Sequence, residues 1–310
     1  MNILNQIQSD MTRWYLKLPL FFVILFISVP SWGDSQLNFN TMPDNEKRSC
    51  LQTVDGFAYL SEDMTLADTR AAAFSNAKRQ ALEMAKTYVK SKTKVKNFTT
   101  EYDMIWSESE GMITILEQKD FGIEENTRYH VWIKAEVEYS LKPKTPDIEE
   151  PMEANVEAPL TVKVWTEKKN FQEGESIQVH IRGNRDFYAK IIDITASGDI
   201  IQLLPNDYRQ INFFKKDTVY NIPDTGDLFT LAASPPFGQD KIVVYASEIP
   251  IGDMQMEPAG NGLNKYNGSQ KTFGNEAREN SSVPQNEDSK FKGADFYEAA
   301  WIITTEQKKQ

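Results

Sequence analysis

One cysteine, two histidines and no apolar run long enough to cross a bilayer set the first bounds on this 310-residue chain. A single cysteine, Cys50, excludes an intrachain disulfide, so stability in an oxidising compartment has to come from packing. The residues before it, Lys47-Arg-Ser49, are not the apolar-small-small context of a lipoprotein signal, and no lipid anchor is expected. Two neighbouring cations could favour a reactive thiolate or an intermolecular bridge; the plainer reading is an incidental cysteine near a mature terminus. His130 and His180 fall in different segments, each alternating with apolar residues, which reads as two exposed strand residues rather than a shared metal site. His-x-x-x-His, Cys-x-x-Cys and Gly-x-Ser-x-Gly patterns are all missing, which removes the commonest zinc sites, thiol redox pairs and α/β-hydrolase elbows. No catalytic residue, metal ligand or cofactor is assigned, and the chain is expected not to be an enzyme.

Positive charge is also in deficit, with 34 Lys and Arg against 45 Asp and Glu and a net charge of −11. Such a chain is repelled by phosphate backbones, so nucleic acid is an unsuitable partner, and anionic lipid is disfavoured for the same reason. The longest apolar run is Leu18–Val29, preceded by Arg13 and Lys17 and followed by the small-x-small sequence Ser31-Trp-Gly33. Twelve residues fall short of the roughly 20 that span hydrocarbon. Residues 1–33 therefore read as a secretory signal peptide, with Met11 a plausible start. The expected product is periplasmic or secreted, non-lipidated, and without an integral membrane span after cleavage.

Residues 34–142 are expected to form an α+β domain. Thr65 and Asp68 have the form of a helix N-cap with an acid three residues on, and Phe74, Ala77, Ala81, Met84 and Tyr88 recur at helical spacing. A helix from Leu66 to Lys90 would be about 37 Å long and needs a broad sheet to cover. The clearest strand is Asn126–Tyr139, with Tyr129, Val131, Ile133, Ala135, Val137 and Tyr139 on the face toward the helix. Gly111–Leu116 and Val95–Trp106 are further strands, and Thr53–Ala58 is expected to add an edge. Gly56-Phe-Ala58 followed by Ala73, Ala77-Lys78 and Ala81 resembles the N-terminal domain family of the flagellar accessory protein FlgT and of small outer-membrane lipoproteins. Residues 143–159 carry four prolines and five acids among seventeen residues, the composition of an extended interdomain linker.

From residue 160 to 306 the pattern becomes short apolar runs between turns, as an antiparallel β-sandwich domain requires. The runs are Leu160–Trp165, Ile177–Arg182, Asn184–Tyr188, Gly198–Asn206, Lys241–Ser247 and a last strand over Ala294–Thr305. Residues 250–292, rich in Gly, Asn, Ser, Gln and Glu, read as a mobile insertion before that last strand. The Gly174-Glu175 turn, the Asn184-Arg-Asp-Phe-Tyr188 strand and the Leu203-Leu-Pro-Asn206 strand end resemble a bacterial domain family, the domain of unknown function four-three-eight-four. The resemblance covers roughly the second half of the chain. Its members stand alone in envelope proteins or are appended to kinase and caspase-like domains, which implies a binding or adaptor module and names no ligand.

The candidate binding residues lie just after that strand: Asn206, Asp207, Tyr208, Arg209, Phe213 and Phe214. Aromatic and Arg side chains at a loop edge are the types that anchor protein interfaces. Phe213 and Phe214 have a second role open to them, capping the sandwich core. Asp186, Asp193, Asp199 and Asp207 sit near strand ends, where two could converge as an acid/base pair or calcium ligands; solvated turn formers are the commoner case. The leading expectation is an exported, non-enzymatic cell-envelope adaptor or assembly protein with an envelope protein as partner. The alternative is a carbohydrate-binding or carbohydrate-processing envelope protein using the sandwich loops, and a third reading is a regulatory module acting in trans on a peptidase or kinase.

Overall fold

The structure is a computed structural model that describes residues 46–93, 102–105, 113–143, 158–283 and 293–308. Its first half runs β1 (Glu46–Tyr59), α1 (Leu66–Thr93), β2 (Tyr102–Ile105), β3 (Ile113–Glu124), β4 (Arg128–Glu138) and β5 (Ser140–Pro143). The second half opens with β6 (Val162–Thr166), β7 (Asn170–Gln172), β8 (Val179–Gly183), β9 (Phe187–Ile194) and β10 (Ile200–Leu204). β11 (Phe213–Phe214), β12 (Tyr220–Ile222) and β13 (Gly238–Ser247) follow, then the hairpin β14 (Glu257–Gly260) and β15 (Leu263–Tyr266), α2 (Gln270–Glu279) and β16 (Gly293–Glu306). Residues 1–45, with the expected signal peptide, and residues 144–157, with most of the expected linker, lie outside the described residues.

A helix packed on a sheet in the first half and a β-rich second half match the expected fold class. One large sheet runs through both, in the order β14-β15-β10-β9-β13-β16-β1-β4-β3. The junction is β1 against β16, antiparallel from Glu46 opposite Ala299 to Gln52 opposite Gly293. β1 was expected at an edge; instead it lies between β16 and β4. Its sequence fits that place, because consecutive residues Ser49, Cys50, Leu51 and Gln52 are all buried, as a strand covered on both faces must be.

α1 starts where the cap pattern placed it: the Thr65 hydroxyl accepts from the Asp68 amide at 3.1 Å and donates to the Asp68 carboxylate at 2.7 Å. Its small stripe of Ala73, Ala77, Ala81 and Ala85 is fully buried against Val54, Val131, Ile133 and Val137. Gly56 makes the approach possible, since a Cβ there would stand 2.6 Å from the Ala77 Cβ. In the second half, β12-β8-β6 forms a smaller sheet. Val164, Val179, Ile181 and Ile222 close on Ala189, Ile191, Val244 and Tyr297 of the large one, giving the sandwich. Paired residues in a sheet share a face. Cys50 sits opposite Asp295 and packs on α1, whereas Leu51 sits opposite Ala294 and packs with Phe273 and Ala277 of α2. α1 and the smaller sheet thus cover one face of the large sheet, and α2 covers the other.

Residues 250–283 depart from expectation. They form the hairpin, α2 and a connecting strap rather than an irregular insertion; 284–292 lie outside the described residues. The few apolar residues the segment owns, Ile251, Tyr266, Phe273 and Ala277, are buried with Ile192, Val243, Tyr245 and Phe296. Asn261 and Gly262 turn the hairpin at φ +52° and +72°, which Asn-Gly adopts readily. Ser269 and Thr272 form a reciprocal capping box at the start of α2. The helix is held by charge as well: Arg278, 2% exposed, meets Glu136, 1% exposed, at 2.5 Å and Glu298 at 3.2 Å. Lys134 donates to the carbonyls of Glu279 and Ser281 at its C-terminal end, where a cation opposes the helix dipole.

A second buried cluster ties α1 to the sandwich. Glu248 accepts from Lys92 at 2.7 Å, from Arg185 at 2.9 Å and from the Tyr88 hydroxyl at 2.7 Å, while Asp295 accepts from the Leu160 amide at 2.9 Å. Burial alone would raise the Glu248 carboxyl, but the two cations hold it below the usual range. Asp295 is more deeply enclosed and is pushed up by that burial. Beside it Cys50 is fully buried, and desolvation followed by the Asp295 charge lifts its thiol far above the ordinary 9.0. The nearby Lys-Arg pair does not make it a thiolate, because Lys47 is engaged with Glu136 and Glu138 and Arg48 lies over Tyr297.

Candidate functional site

The residues expected to form a binding loop are drawn together by Asn206. Its side-chain oxygen accepts the amides of Tyr208 at 2.9 Å and Arg209 at 2.8 Å, and its amide donates to the Leu203 carbonyl at 2.8 Å. Asn206 is buried and shapes the loop, as an Asx turn does. The Asp207 amide donates to the Gly262 carbonyl at 3.0 Å, docking the loop on the β14–β15 hairpin. Tyr208 lies against Gly262 and stacks toward Phe229 with 48% of its surface exposed. Arg209 turns inward, to Asp227 at 3.1 Å and the Asn221 carbonyl at 3.2 Å. Phe214 is fully buried and stacks on Phe187, and Phe213 is half-buried against Tyr188. The loop thus keeps Asp207 and Tyr208 outside and spends Arg209 and Phe214 on its own packing.

The Asn206 loop forms one wall of a pocket of about 280 Å³ on the α2 face of the large sheet. Lys190 on β9, Gln202 on β10 and Asn264 on β15 supply further lining, with Gln210 from the loop and Asp253, Met254 and Met256 from the strap before β14. Strand alternation puts Lys190, Gln202 and Asn264 on one face: Gln202 is opposite both Ile192 and Asn264, and Lys190 is two residues from Ile192. Lys190 is 2% exposed, and among the described residues its ammonium makes no hydrogen bond or ion pair. Burial lowers its pKa, opposed by the charge of Asp253. The Gln202 side-chain oxygen is sealed from solvent and also has no partner.

The same strap borders a larger groove of about 830 Å³, lined by Asp253, Glu257, Glu276 and Glu279 together with Met254, Met256 and Tyr266. Tyr266 donates to Glu276 at 2.6 Å. Among the described residues no cluster of three or more His, Cys, Asp or Glu side chains is arranged to hold a metal ion.

The four aspartates do not converge. Asp186 pairs with Lys215 at 3.1 Å and Asp199 with Lys265 at 2.7 Å, both at the surface. Asp193 points its Oδ1 into the protein without a hydrogen-bond partner; burial and then the charge of Asp240 push its carboxyl up to about 7. His180 stacks on Trp165 and meets Asn221 at 2.8 Å. His130 is less plain than the sequence suggested. Its ring lies between Phe57 and Phe121, each at 4.5 Å, and its nitrogens meet Asp55 at 2.8 Å and Glu124 at 2.6 Å. Partial burial alone would lower its pKa, but the two carboxylates outweigh it and raise it above the ordinary 6.5.

Lys190, Asp253 and the acidic groove were not found from sequence. A lysine inside the otherwise apolar run Phe187–Ile192 was the available signal, as was the Asn261-Gly262 hairpin that frames the strap.

Taken together these elements define a β-sandwich whose large sheet continues into a helix-covered extension, with the pocket and the groove both bordered by the strap after β13. Residues 170–250 match the family model of a domain of unknown function, DUF4384, and that stretch spans β7 to β13 and the Asn206 loop. No curated protein and no solved structure matches the chain. Among the described residues no helix is long and apolar enough to cross a membrane.

Proposed function

We propose that the protein is an exported, non-enzymatic adaptor or assembly protein of a bacterial cell envelope that holds a basic protein segment in the groove beside α2. The observation that carries this reading is the groove's chemistry: Asp253, Glu257, Glu276 and Glu279 surround Met254 and Met256 in a volume of about 830 Å³. Carboxylates steer a cationic partner and reject anionic ones, and methionines accommodate apolar side chains of varied shape. The leader-like run Leu18–Val29 supports export. The resemblance of Gly56-Phe-Ala58 and the Ala73, Ala77, Ala81 stripe to FlgT makes a surface or motor-associated complex one concrete setting, by analogy alone.

A photo-crosslinking residue placed at Glu276 in the protein within its own envelope tests the reading. One reproducible adduct whose crosslinked segment is Lys- or Arg-rich is expected, absent when the same residue is placed at exposed Lys163 on the far side of the sandwich. Identical adducts from both positions, or none from Glu276, refute it. The carbohydrate reading retains one observation, the half-exposed ring of Tyr208 beside Asp207; its test is glycan binding by the protein and by its Tyr208→Ala variant.

A further inference from the structure

We propose that the Lys190 pocket is a binding site for a small zwitterion, an α-amino acid or a molecule carrying the same carboxylate and ammonium pair. The inference does not depend on the adaptor reading: the pocket and the acidic groove share Asp253, Met254 and Met256, but Lys190, on which the inference rests, lines the pocket and not the groove.

An ammonium taken out of water is unfavourable by several kcal/mol unless a partner replaces the lost hydration, and charged side chains are almost never fully buried unless paired. Lys190 is 2% exposed and has neither hydrogen bond nor ion pair among the described residues. Gln202 lines the same pocket, its amide nitrogen donating to the Pro205 carbonyl at 2.7 Å and so offering Lys190 no charge. Lys190 therefore keeps its charge unmet beside that small space.

The third feature selects the ligand. Asp253 lines the same pocket, is close enough to act on Lys190 electrostatically, and still forms no ion pair with it. Asp253 is exposed at the rim, and Lys190 is enclosed at the floor. Two opposite charges held apart across about 280 Å³ suit a guest that carries the complementary pair. A carboxylate satisfies Lys190; an ammonium satisfies Asp253. A phosphate or other dianion is opposed by Asp253, and a neutral sugar leaves the Lys190 charge unbalanced. The volume lies at the small end of the ~300–1,000 Å³ typical of ligand pockets, which limits the guest to about one residue. Met254 and Met256 offer its side chain an adaptable apolar wall.

Isothermal titration of the full protein with each protein amino acid as probe, alongside acetate and methylamine as half-molecules, tests the proposal. At least one amino acid is expected to bind one-to-one. Lys190→Met and Asp253→Asn are each expected to weaken it by at least about tenfold, and both half-molecules to bind weaker by a similar factor. Lys190→Met removes a desolvated charge and keeps a similar apolar length, so it is expected to fold; should it fail to, Asp253→Asn at the exposed rim carries the test. Absence of binding by every amino acid overturns the proposal. So does affinity unchanged in both variants, or acetate binding as tightly as the best amino acid.

Discussion

Asp193→Asn should stabilise the protein, and by an amount that depends on pH. Asp193 lies on β9 with its Oδ1 closed off from water and without a hydrogen-bond partner, and the nearby Asp240 adds like charge, so its carboxyl is pushed from 3.8 to about 7. Between those two values the folded chain holds a proton that the unfolded chain has released. Stability therefore falls as pH rises through that window, by about 1.4 kcal/mol per pH unit, and is flat above it. The whole loss is roughly 4 kcal/mol, a ceiling because the side chain is only partly enclosed. An asparagine carries no such penalty at any pH. Urea denaturation of both proteins at pH 4, 6 and 8 should show the variant's advantage growing from near its baseline at pH 4 toward a few kcal/mol at pH 8. Any constant offset from the amide's own packing cancels in that difference. Stability curves for the two proteins that stay parallel across the range would refute the reasoning.

Glu248→Gln removes the carboxylate that Lys92 and Arg185 share; because Lys92 keeps Asp295 at 3.3 Å, the loss is expected to be smaller than the ~3–5 kcal/mol of a fully orphaned buried charge, read as a lower urea midpoint. Gly56→Val drives a branched side chain into Ala77 of α1 and should destabilise by about 1–3 kcal/mol or more, whereas Gly122→Val, with open space around it but φ +79°, should lose stability through backbone strain while α1 stays docked, as amide exchange in residues 66–93 would show. His130→Gln should be destabilising in mildly acidic solution and nearly neutral in alkaline solution. The raised pKa means that the histidine's contribution is complete below its ordinary 6.5 and is lost as pH rises through the folded value; thermal denaturation at pH 6 and pH 9 measures the contrast, and a pH-independent difference would count against it.

How much was legible depended on whether a residue's role was set by its neighbours in sequence. The α1 cap at Thr65 and Asp68, the alanine stripe and the alternating face of β4 rest on periodicity and on contacts three or four residues apart, and they are where the sequence placed them. The sandwich strands and the Asn206 turn are local in the same sense. The strap, hairpin and α2 were read as irregular because the segment has few apolar residues. Its cores are completed by Ile192, Val243, Tyr245 and Phe296 from strands elsewhere in the chain, and its Asn261-Gly262 and Ser269-Thr272 signals went unweighed beside its composition.

The amino-acid sequence by itself determined the class of the two halves, the long helix on a sheet and the β-rich module, because strand alternation, helical spacing and caps are properties of adjacent residues. It also carried the resemblance to a domain of unknown function, whose family model matches residues 170–250. Only the tertiary structure decided that β1 and β16 join both halves in one sheet, and that Lys190, Gln202 and Asp253 meet in a single pocket. Pairings between residues so far apart leave no mark on local pattern. Burial, which turns an ordinary lysine or aspartate into a group with an unmet charge, exists only once the layers have closed over it.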